Sequence, residues 1–202
     1  MPKIELDRIT YRKLLPTDHP AFEAHLLALD AGSRRTRFGT TTNDAFLEQY
    51  AARCITLNAI IHGAFLENRM IGAAELRPLG ELFTGEAEIA FSVEAEWRNC
   101  GIGTALFART LRSARNRGFA RLYMSCLRHN APMRALARKF SAEILVELDE
   151  SVALVETPRR TIISLIREAI DDAAARSSGH GWEWPRLWLA RRPAAPPVSR
   201  IG

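Results

Sequence analysis

The chain has 202 residues, 47% hydrophobic and 25% charged, with a formal net charge of +5. This composition excludes an intrinsically disordered chain, and the length allows one domain of roughly 150 residues plus an appendage, with a core that needs no disulfide or structural metal. Cys54, Cys100 and Cys126 are odd in number and form no CxxC pair, so neither a disulfide framework nor a zinc site is expected.

The first residues, MPKIELDRITYRKL, lack an apolar signal core, and every apolar stretch is too short to span a bilayer. We therefore expect a soluble cytoplasmic protein with no membrane partner. Residues 177–202 carry a net charge of +3, which leaves the rest of the chain nearly balanced. Nucleic acid is thus an unexpected partner, because a binder concentrates basic residues on its folded body.

Helix and strand periods alternate along the chain, which indicates an α/β or α+β domain. In the first half we expect a strand at 9–14, a helix from the Thr17-Asp18 cap to about Gly32, a basic loop at 33–39, a helix that begins at Thr42 or Asn43, and two antiparallel strands at 59–66 and 70–76. In the second half we expect a strand at 86–93, a helix at 101–117, a strand at 121–127, a helix that starts at 130–132, a strand pair at 144–148 and 152–156, and a helix at 158–176.

Alternation along 86–93 puts Glu88, Ala90 and Ser92 on one face of the strand and Ile89, Phe91 and Val93 on the other. In the helix at 101–117 the apolar positions indicate the core side. Its arginines are expected to form a solvated face: Arg109, Arg112, Arg115 and Arg117.

Between this strand and this helix lies the run Arg98-Asn99-Cys100-Gly101-Ile102-Gly103-Thr104, which we call the glycine turn. Its glycines leave the first helical N–H groups accessible, and these groups, the helix dipole and Arg98 together suit a phosphate. The run is neither GxxxxGKS/T nor GxGxxG, which disfavours nucleotide hydrolysis and dinucleotide binding. The residues alone leave open a tight turn without a ligand.

This run and its flanks resemble the GNAT superfamily of N-acetyltransferases, whose pyrophosphate signature Arg/Gln-x-x-Gly-x-Gly/Ala matches Arg98 to Gly103. The resemblance spans about residues 9–156, and the segments SRRTRF and NAPMRALARKFSAE are similar to bacterial protein-lysine acetyltransferase domains. It implies a mixed, mostly antiparallel central sheet with splayed parallel strands in the middle and helices on both faces. We expect one such domain at 1–176, with 177–202 as a tail and not a second domain.

The resemblance also implies the substrates: acetyl-CoA as co-substrate and an amine as acceptor, with no metal. Acetyl-CoA would lie between the strands at 86–93 and 121–127, with its diphosphate on the glycine turn. Backbone groups near Ser92 and Val93 would bond the pantetheine arm, as a sheet edge bonds a peptide. Asn130 would contact the pantetheine arm or the adenylate, or cap the helix that follows it.

Two positions depart from the family pattern. Ala137 stands where the family often has the tyrosine that protonates the thiolate, and Ser141-Ala142 replaces a Gly-Phe pair. Ser125 is a candidate replacement for the tyrosine, and transfer can survive its loss because a thiol of pKa near 8.5 is a fair leaving group.

Glu88 is the candidate general base, on the expectation that desolvation raises its pKa; it could equally pair with an arginine of the neighbouring strand. Glu75 is a second choice. His62 and His129 have no ligand-spaced neighbours and are not expected to bind metal, and we take Cys100 as a bystander.

Residues 177–202 contain three of the four tryptophans, so we expect this tail to pack on its own domain or on a second copy in a homodimer. The predicted function is acetyl transfer to a protein lysine or a small-molecule amine by direct ternary-complex attack. The alternatives are a non-catalytic acyl-CoA-binding module and a basic-tailed adaptor for nucleic acid.

Overall fold

The computed structural model describes residue 6 and residues 8–56, 59–80, 85–127, 130–140, 142–147, 150–157 and 160–177. The strands are β1 (Ile9–Lys13), β2 (Ile60–Leu66), β3 (Arg69–Pro78), β4 (Glu86–Val93), β5 (Arg121–Leu127), β6 (Glu143–Glu147) and β7 (Glu150–Glu156). The α-helices are α1 (His19–Leu27), α2 (Ala31–Phe38), α3 (Asp44–Thr56), α4 (Ile102–Asn116), α5 (Ala131–Lys139) and α6 (Ile162–Ser177).

The strands form one seven-stranded sheet in the order β1-β2-β3-β4-β5-β7-β6. Neighbouring strands run antiparallel except β4 and β5, which are parallel. The parallel pair is hydrogen-bonded only along residues 86–88 and 121–123, so the two strands separate beyond Glu88. The predicted mixed sheet with splayed parallel strands at its centre is therefore confirmed.

Helices cover both faces of this sheet, each over its own apolar cluster. On one face α1 and α3 pack on β2 and β3 through Phe22, Leu26 and Leu47. On the other face α4 and α5 pack on β3, β4, β5 and β7, where Phe107 stacks on Phe91 and on Phe140. The cleft described below opens between these layers, at the separation of β4 and β5.

The segment expected to be a basic loop at 33–39 is instead part of helix α2. Asp30 caps this helix by accepting from the Ser33 N–H at 2.8 Å, and Gly39 ends it in the left-handed region with φ of 75°. The helix before it ends at Leu27 and not near Gly32. The arginines of α2 interrupt the apolar periodicity that would have indicated a helix. Of its residues, Ser33, Thr36, Arg37 and Phe38 line the cleft.

The arginine row is only partly a solvated face, because α6 and β1 cover Arg109 and Arg112 while the Arg117 side chain remains 36% exposed. Arg117 pairs with Glu168 at 2.7 Å, Arg112 pairs with Asp171, and Arg109 lies 4.5 Å from the centre of the Tyr11 ring. The helix predicted at 158–176 begins at Ile162 in the structure and supplies these carboxylates.

Glu168 is the main anchor of α6. It accepts hydrogen bonds from Ser113 at 2.8 Å and Asn116 at 2.6 Å on α4 and from Arg117, just after α4, at 2.7 Å, and it pairs with Lys13 of β1. The opposite side of α6 exposes Ile162, Ile163, Leu165, Ile166 and Ile170. Among the helices of the described residues, none combines the length and apolar character that crossing a bilayer demands.

Candidate functional site

The separation of β4 and β5 opens a cleft of about 780 Å³. Eleven of the twelve predicted site residues line it: Glu88, Ser92, Val93, Arg98, Asn99, Gly101, Ile102, Gly103, Thr104, Ser125 and Asn130. The volume lies in the range of small-molecule sites. The exception is Cys100, whose thiol lies 3.3 Å from the Arg98 carbonyl.

The glycine turn forms one end of the cleft. Gly101 caps α4 with φ of 84° and Asn99 has φ of 60°, so two left-handed residues turn the chain from β4 into the helix. The Ala105 N–H makes the first bond of the helix, to the Gly101 carbonyl, which leaves the N–H groups of residues 102–104 at an open helix end. These donors and the positive end of the helix dipole suit an anion.

Two cations stand beside this helix end. Arg98 reaches across to α2, where its Nη2 contacts the Ser33 hydroxyl, and its Nε donates to the Val93 carbonyl at 3.3 Å. Lys139 of α5 lies 3.4 Å from the Thr104 hydroxyl and also lines the cleft. The sequence analysis did not single out Lys139, since nothing in the sequence alone brings α5 beside the glycine turn.

The backbone of β4 presents only alternate residues to the cleft. The register pairs Ser92 with Ala73, and the Glu94 N–H donates to the Ile71 carbonyl at 3.1 Å, so Ser92 and Glu94 bond to β3. Alternate residues of an antiparallel strand turn their backbone groups to opposite sides. The groups that face the gap are therefore those of Phe91 and Val93, which corrects the expectation that the Ser92 backbone would bond a pantetheine arm.

Glu88 lies in the cleft and forms the cross-strand ion pair that the sequence left as its second role. Its Oε2 is 3.3 Å from Arg77 Nη2, and about a third of its side chain, 32%, is exposed. Ser125 is exposed on β5, on the side opposite the buried Met124 and Cys126. Asn130 caps α5, since its Oδ1 accepts from the Met133 N–H at 3.2 Å.

Arg37, Tyr50 and Glu75 form a buried hydrogen-bond network next to the cleft, which the sequence analysis did not predict. Arg37 of α2 donates to both the Tyr50 hydroxyl and Glu75 Oε1, and the Tyr50 hydroxyl donates to Glu75 Oε2, each at 2.6 Å. Burial and the negative charge of Glu75 raise the pKa of Tyr50. Tyr50 and Arg37 line the cleft with Arg77.

Glu75 is a poor base in this setting. Although burial alone would raise its pKa, the charges of Arg37 and Arg77 and the hydrogen bonds from Tyr50 and Arg37 lower the pKa below the ordinary value. Glu75 is also absent from the residues that line the cleft. The second-choice role given to it from sequence is therefore not supported.

Of the two departures from the family pattern, Ala137 and the Ser141-Ala142 pair, the structure describes Ala137 and Ala142 but not Ser141. Ala137 is fully buried among core residues of α4, α5 and the sheet, and it does not line the cleft. Ser141 lies outside the described residues, as do His129 and residues 178–202.

His62 is buried and 3.0 Å from the Ser113 hydroxyl, and burial and the charges of Lys13 and Arg109 lower its pKa to about 3.

Comparison with known proteins gives one sequence family and many structures of the same fold. Residues 16–141 match the model of the acetyltransferase (GNAT) family. The GNAT domain of PAT from S. lividans is 17% identical with a TM-score of 0.65, over 72% of this chain and 89% of that one.

Two further structures carry a bound coenzyme. The putative acetyltransferase yncA from Salmonella typhimurium, solved with acetyl-CoA, is 13% identical with a TM-score of 0.59, over 76% of this chain and 96% of that one. The ribosomal L7/L12 α-N-protein acetyltransferase RimL, solved with coenzyme A, is 17% identical with a TM-score of 0.60, over 74% of this chain and 94% of that one. At these identities the similarity shows the fold.

Proposed function

This chain belongs to the acetyltransferase (GNAT) family, and from that premise we propose that it moves an acetyl group from acetyl-CoA to an amine by direct attack in a ternary complex. One observation carries the proposal: the cleft between the separated strands β4 and β5 has an anion-binding helix end at one side and a carboxylate, Glu88, at the other. Relatives of the same fold with bound acetyl-CoA and coenzyme A support the choice of co-substrate.

In this proposal the glycine turn holds the diphosphate. The N–H groups of residues 102–104 donate to it, and Arg98 and Lys139 offset its charge. Phe91 and Val93 then bond the pantetheine arm from the open edge of β4, and Asn130 lies at the entry on the other side. The thioester comes to rest between β4 and β5, near Glu88 and Ser125.

An ammonium acceptor must lose two protons, and the departing thiolate must gain one. The ammonium gives its first proton through water to Glu88, the neutral nitrogen attacks the thioester carbonyl carbon, and the carbon–sulfur bond breaks to release coenzyme A thiolate, while the acylated nitrogen gives its second proton to water. The Ser125 hydroxyl is our candidate donor to that thiolate, and it regains its proton from water. The acceptor enters from the wall formed by α2, Tyr50 and Arg77, and we propose a protein lysine or a small amine.

The second candidate function is a non-catalytic acyl-CoA-binding module. The observation that favours it is Ala137, because this buried methyl group provides no phenol to the cleft. The cytoplasm is our proposed compartment for either function. The free thiols of Cys54, Cys100 and Cys126 support it, since disulfides are rare in a reducing compartment.

The test titrates the full chain with acetyl-CoA by calorimetry and then follows thiol release over a panel of amines. Binding with amine-dependent release supports the transferase, and binding without release at any amine supports the module. A chain that does not bind acetyl-CoA contradicts both. The thioether analogue of acetyl-CoA is the matched control, because it can occupy the cleft and cannot transfer.

A further inference from the structure

Arg77 of β3 brings a guanidinium with an unused hydrogen-bond donor to the acceptor side of the cleft. Its Nη2 lies 3.3 Å from Glu88 Oε2, which is longer than an ordinary charge-assisted hydrogen bond. Its Nε is buried and has no hydrogen-bond partner among the described residues. Nε and Nη2 are the two donors along one edge of the guanidinium, and such an edge can bind both oxygens of a carboxylate.

The carboxylate behind the cleft wall does not fill this edge. Glu75 accepts hydrogen bonds from Arg37 and from the Tyr50 hydroxyl, each at 2.6 Å, and is not among the residues that line the cleft. Arg77 instead lies over the Tyr50 ring, 5.5 Å from its centre, and this contact holds its guanidinium at the wall. The edge of Arg77 therefore has room for a carboxylate that the protein itself does not provide.

Proton transfer in the proposed reaction removes the charge that balances Arg77. Glu88 becomes neutral when it accepts the proton of the acceptor amine, and the side chain of Arg77 is only 27% exposed to water. A cation held partly out of water is destabilised unless a negative charge lies beside it. A carboxylate on the acceptor would supply that charge as Glu88 loses its own, so it would stabilise the transition state more than the bound substrate.

We propose that the acceptor is a free α-amino acid, whose carboxylate binds Arg77 while its amino group lies at Glu88. The inference rests on the proposed function, because it names the acceptor of that transfer. The two opposite charges of the wall, 3.3 Å apart, match an ammonium and a carboxylate carried by one carbon atom. A protein lysine has no carboxylate beside its amine and would leave the edge of Arg77 unfilled.

The overall reaction follows from the transfer already described. The amino-acid nitrogen forms a bond to the acetyl carbon as the carbon–sulfur bond breaks. The ammonium loses two protons, of which the equivalent of one ends on the thiol of coenzyme A and the other is released to water. The products are an N-acetyl amino acid and coenzyme A.

The experiment compares each standard amino acid with its own carboxamide, which keeps the amine and removes the negative charge. Thiol release at saturating acetyl-CoA gives kcat and KM for both members of each pair. For the best pair we expect the parent chain to prefer the amino acid at least tenfold in kcat/KM, because charged hydrogen bonds to the carboxylate are lost in the amide. In Arg77→Gln we expect this ratio to fall to about one, and in Arg77→Lys to be intermediate.

The ratio is the readout because substitution of Arg77 also changes the surroundings of Glu88. That effect acts on the amino acid and on its amide alike and therefore cancels in the ratio. Arg77→Gln with the parent ratio overturns the inference. Thermal melts select the variants that fold.

Arg121 provides a matched control on the neighbouring strand pair. It forms a cross-strand ion pair with Glu86 at 2.6 Å, and neither residue is among those that line the cleft. Arg121→Gln therefore removes an arginine from an arginine–glutamate pair without touching the proposed carboxylate site. We expect it to keep the parent ratio.

Failure of the inference is distinguishable from failure of the proposed function. Transfer to amides or simple amines as fast as to amino acids overturns the inference and leaves the transferase intact. Calorimetric titration of the coenzyme A complex with the same amino acids and amides needs no turnover. In a chain that acetylates no amine, amino-acid binding that weakens at least tenfold in Arg77→Gln supports the carboxylate site, and equal or undetectable binding of acids and amides overturns it.

Discussion

A side chain added at Gly103 would have room among the neighbouring protein atoms but would overlap a diphosphate bound at the glycine turn. A Cβ at this position would have only Leu136 Cδ2 within 4 Å, at 3.8 Å, which is ordinary contact. We expect Gly103→Glu to fold normally and to lose acetyl-CoA affinity at least about tenfold, which is about 1.4 kcal/mol, because it adds bulk and negative charge at the helix end. Calorimetry measures the affinity.

Gly103→Gln is the control for charge at that position. It has the same bulk without the carboxylate, so we expect an affinity between those of the parent and Gly103→Glu. Unchanged affinity in a folded Gly103→Glu chain would refute the placement of the diphosphate.

Glu88 is the residue on which the proposed proton transfer depends. Glu88→Gln keeps the shape of the side chain and removes its basicity, so we expect amine acetylation to slow by roughly 10²- to 10⁴-fold. The measurement is the rate over a range of pH values with an amine that the parent chain turns over. A rate within about threefold of the parent at every pH, under 1 kcal/mol of barrier, would mean that the amine arrives already neutral.

At the level of single residues, the features that could be predicted from the sequence are those that depend on local backbone geometry. The glycine turn could be predicted because Gly101 needs a left-handed φ and sits where a strand becomes a helix. Tyr50 could not be predicted as part of a site. It lies on an apolar helix and acquires its polar partner, Glu75, only when the helix packs on the sheet.

For the helices, the wrong predictions concern polar faces whose partners come from parts of the chain distant in sequence. The arginines of α2 made it look like a loop, because their partners are distant or lie across a turn: Arg37 bonds Glu75, and Arg34 bonds Asp44. The arginines of α4 looked solvated because their partners, Glu168 and Asp171, come from a helix more than fifty residues later. The bounds of β4 and β5 and the cap residue Asn130 were predicted correctly, because they depend on neighbours in sequence.

Helix α6 depends on Glu168, and this dependence gives a pH test. Burial alone would raise the pKa of Glu168, but hydrogen bonds from Asn116, Arg117 and Ser113 and the charge of Arg117 lower the pKa from 4.5 to about 2. A folded pKa below the unfolded one stabilises the fold above about pH 4.5, and this stabilisation is lost as the pH falls towards 2. We therefore expect Glu168→Gln to melt below the parent at pH 7, with a difference that shrinks across this window.

The measurement is thermal unfolding of both chains at a series of pH values. The control is Arg167→Gln, a substitution at the exposed residue next to Glu168. We expect its effect on the melting temperature to be the same above and below the pH range of 4.5 to 2. A gap between parent and Glu168→Gln that stays constant from pH 7 to acid would contradict the assignment.

At the scale of the whole molecule, we propose that residues 177–202 are a tail and not a second domain. The tail holds three of the four tryptophans, and its first residue, Ser177, is the last residue of α6, whose outer side exposes Ile163, Ile166 and Ile170. Burial of a large apolar side chain contributes about 1.5–3 kcal/mol. We expect deletion of residues 179–202 to lower the melting temperature or to dissociate an oligomer, measured by thermal unfolding and light scattering.

The matched control keeps the length of the tail. Replacement of Trp182, Trp184 and Trp188 by serine in the full chain should reproduce the effect of the deletion if the indole rings are what packs. If both variants melt and scatter like the parent, the tail is a loose appendage.

The separation of β4 and β5 has a consequence for cohesion of the sheet. In the part of the chain that the structure describes, the ladder between the half that holds β1 to β4 and the half that holds β5 to β7 consists of three residue pairs: Glu86 with Arg121, Ala87 with Leu122 and Glu88 with Tyr123. A molecule bonded to both edges of the gap would act as an inserted strand, and thermodynamic linkage would add about 2.7 kcal/mol to the unfolding free energy at a hundredfold excess over Kd. We expect acetyl-CoA to raise the melting temperature steadily with its concentration and to slow amide exchange along β5. If acetyl-CoA binds in this cleft as proposed, its occupancy and the stability of the sheet would be coupled, and we expect the empty protein to open first between β4 and β5.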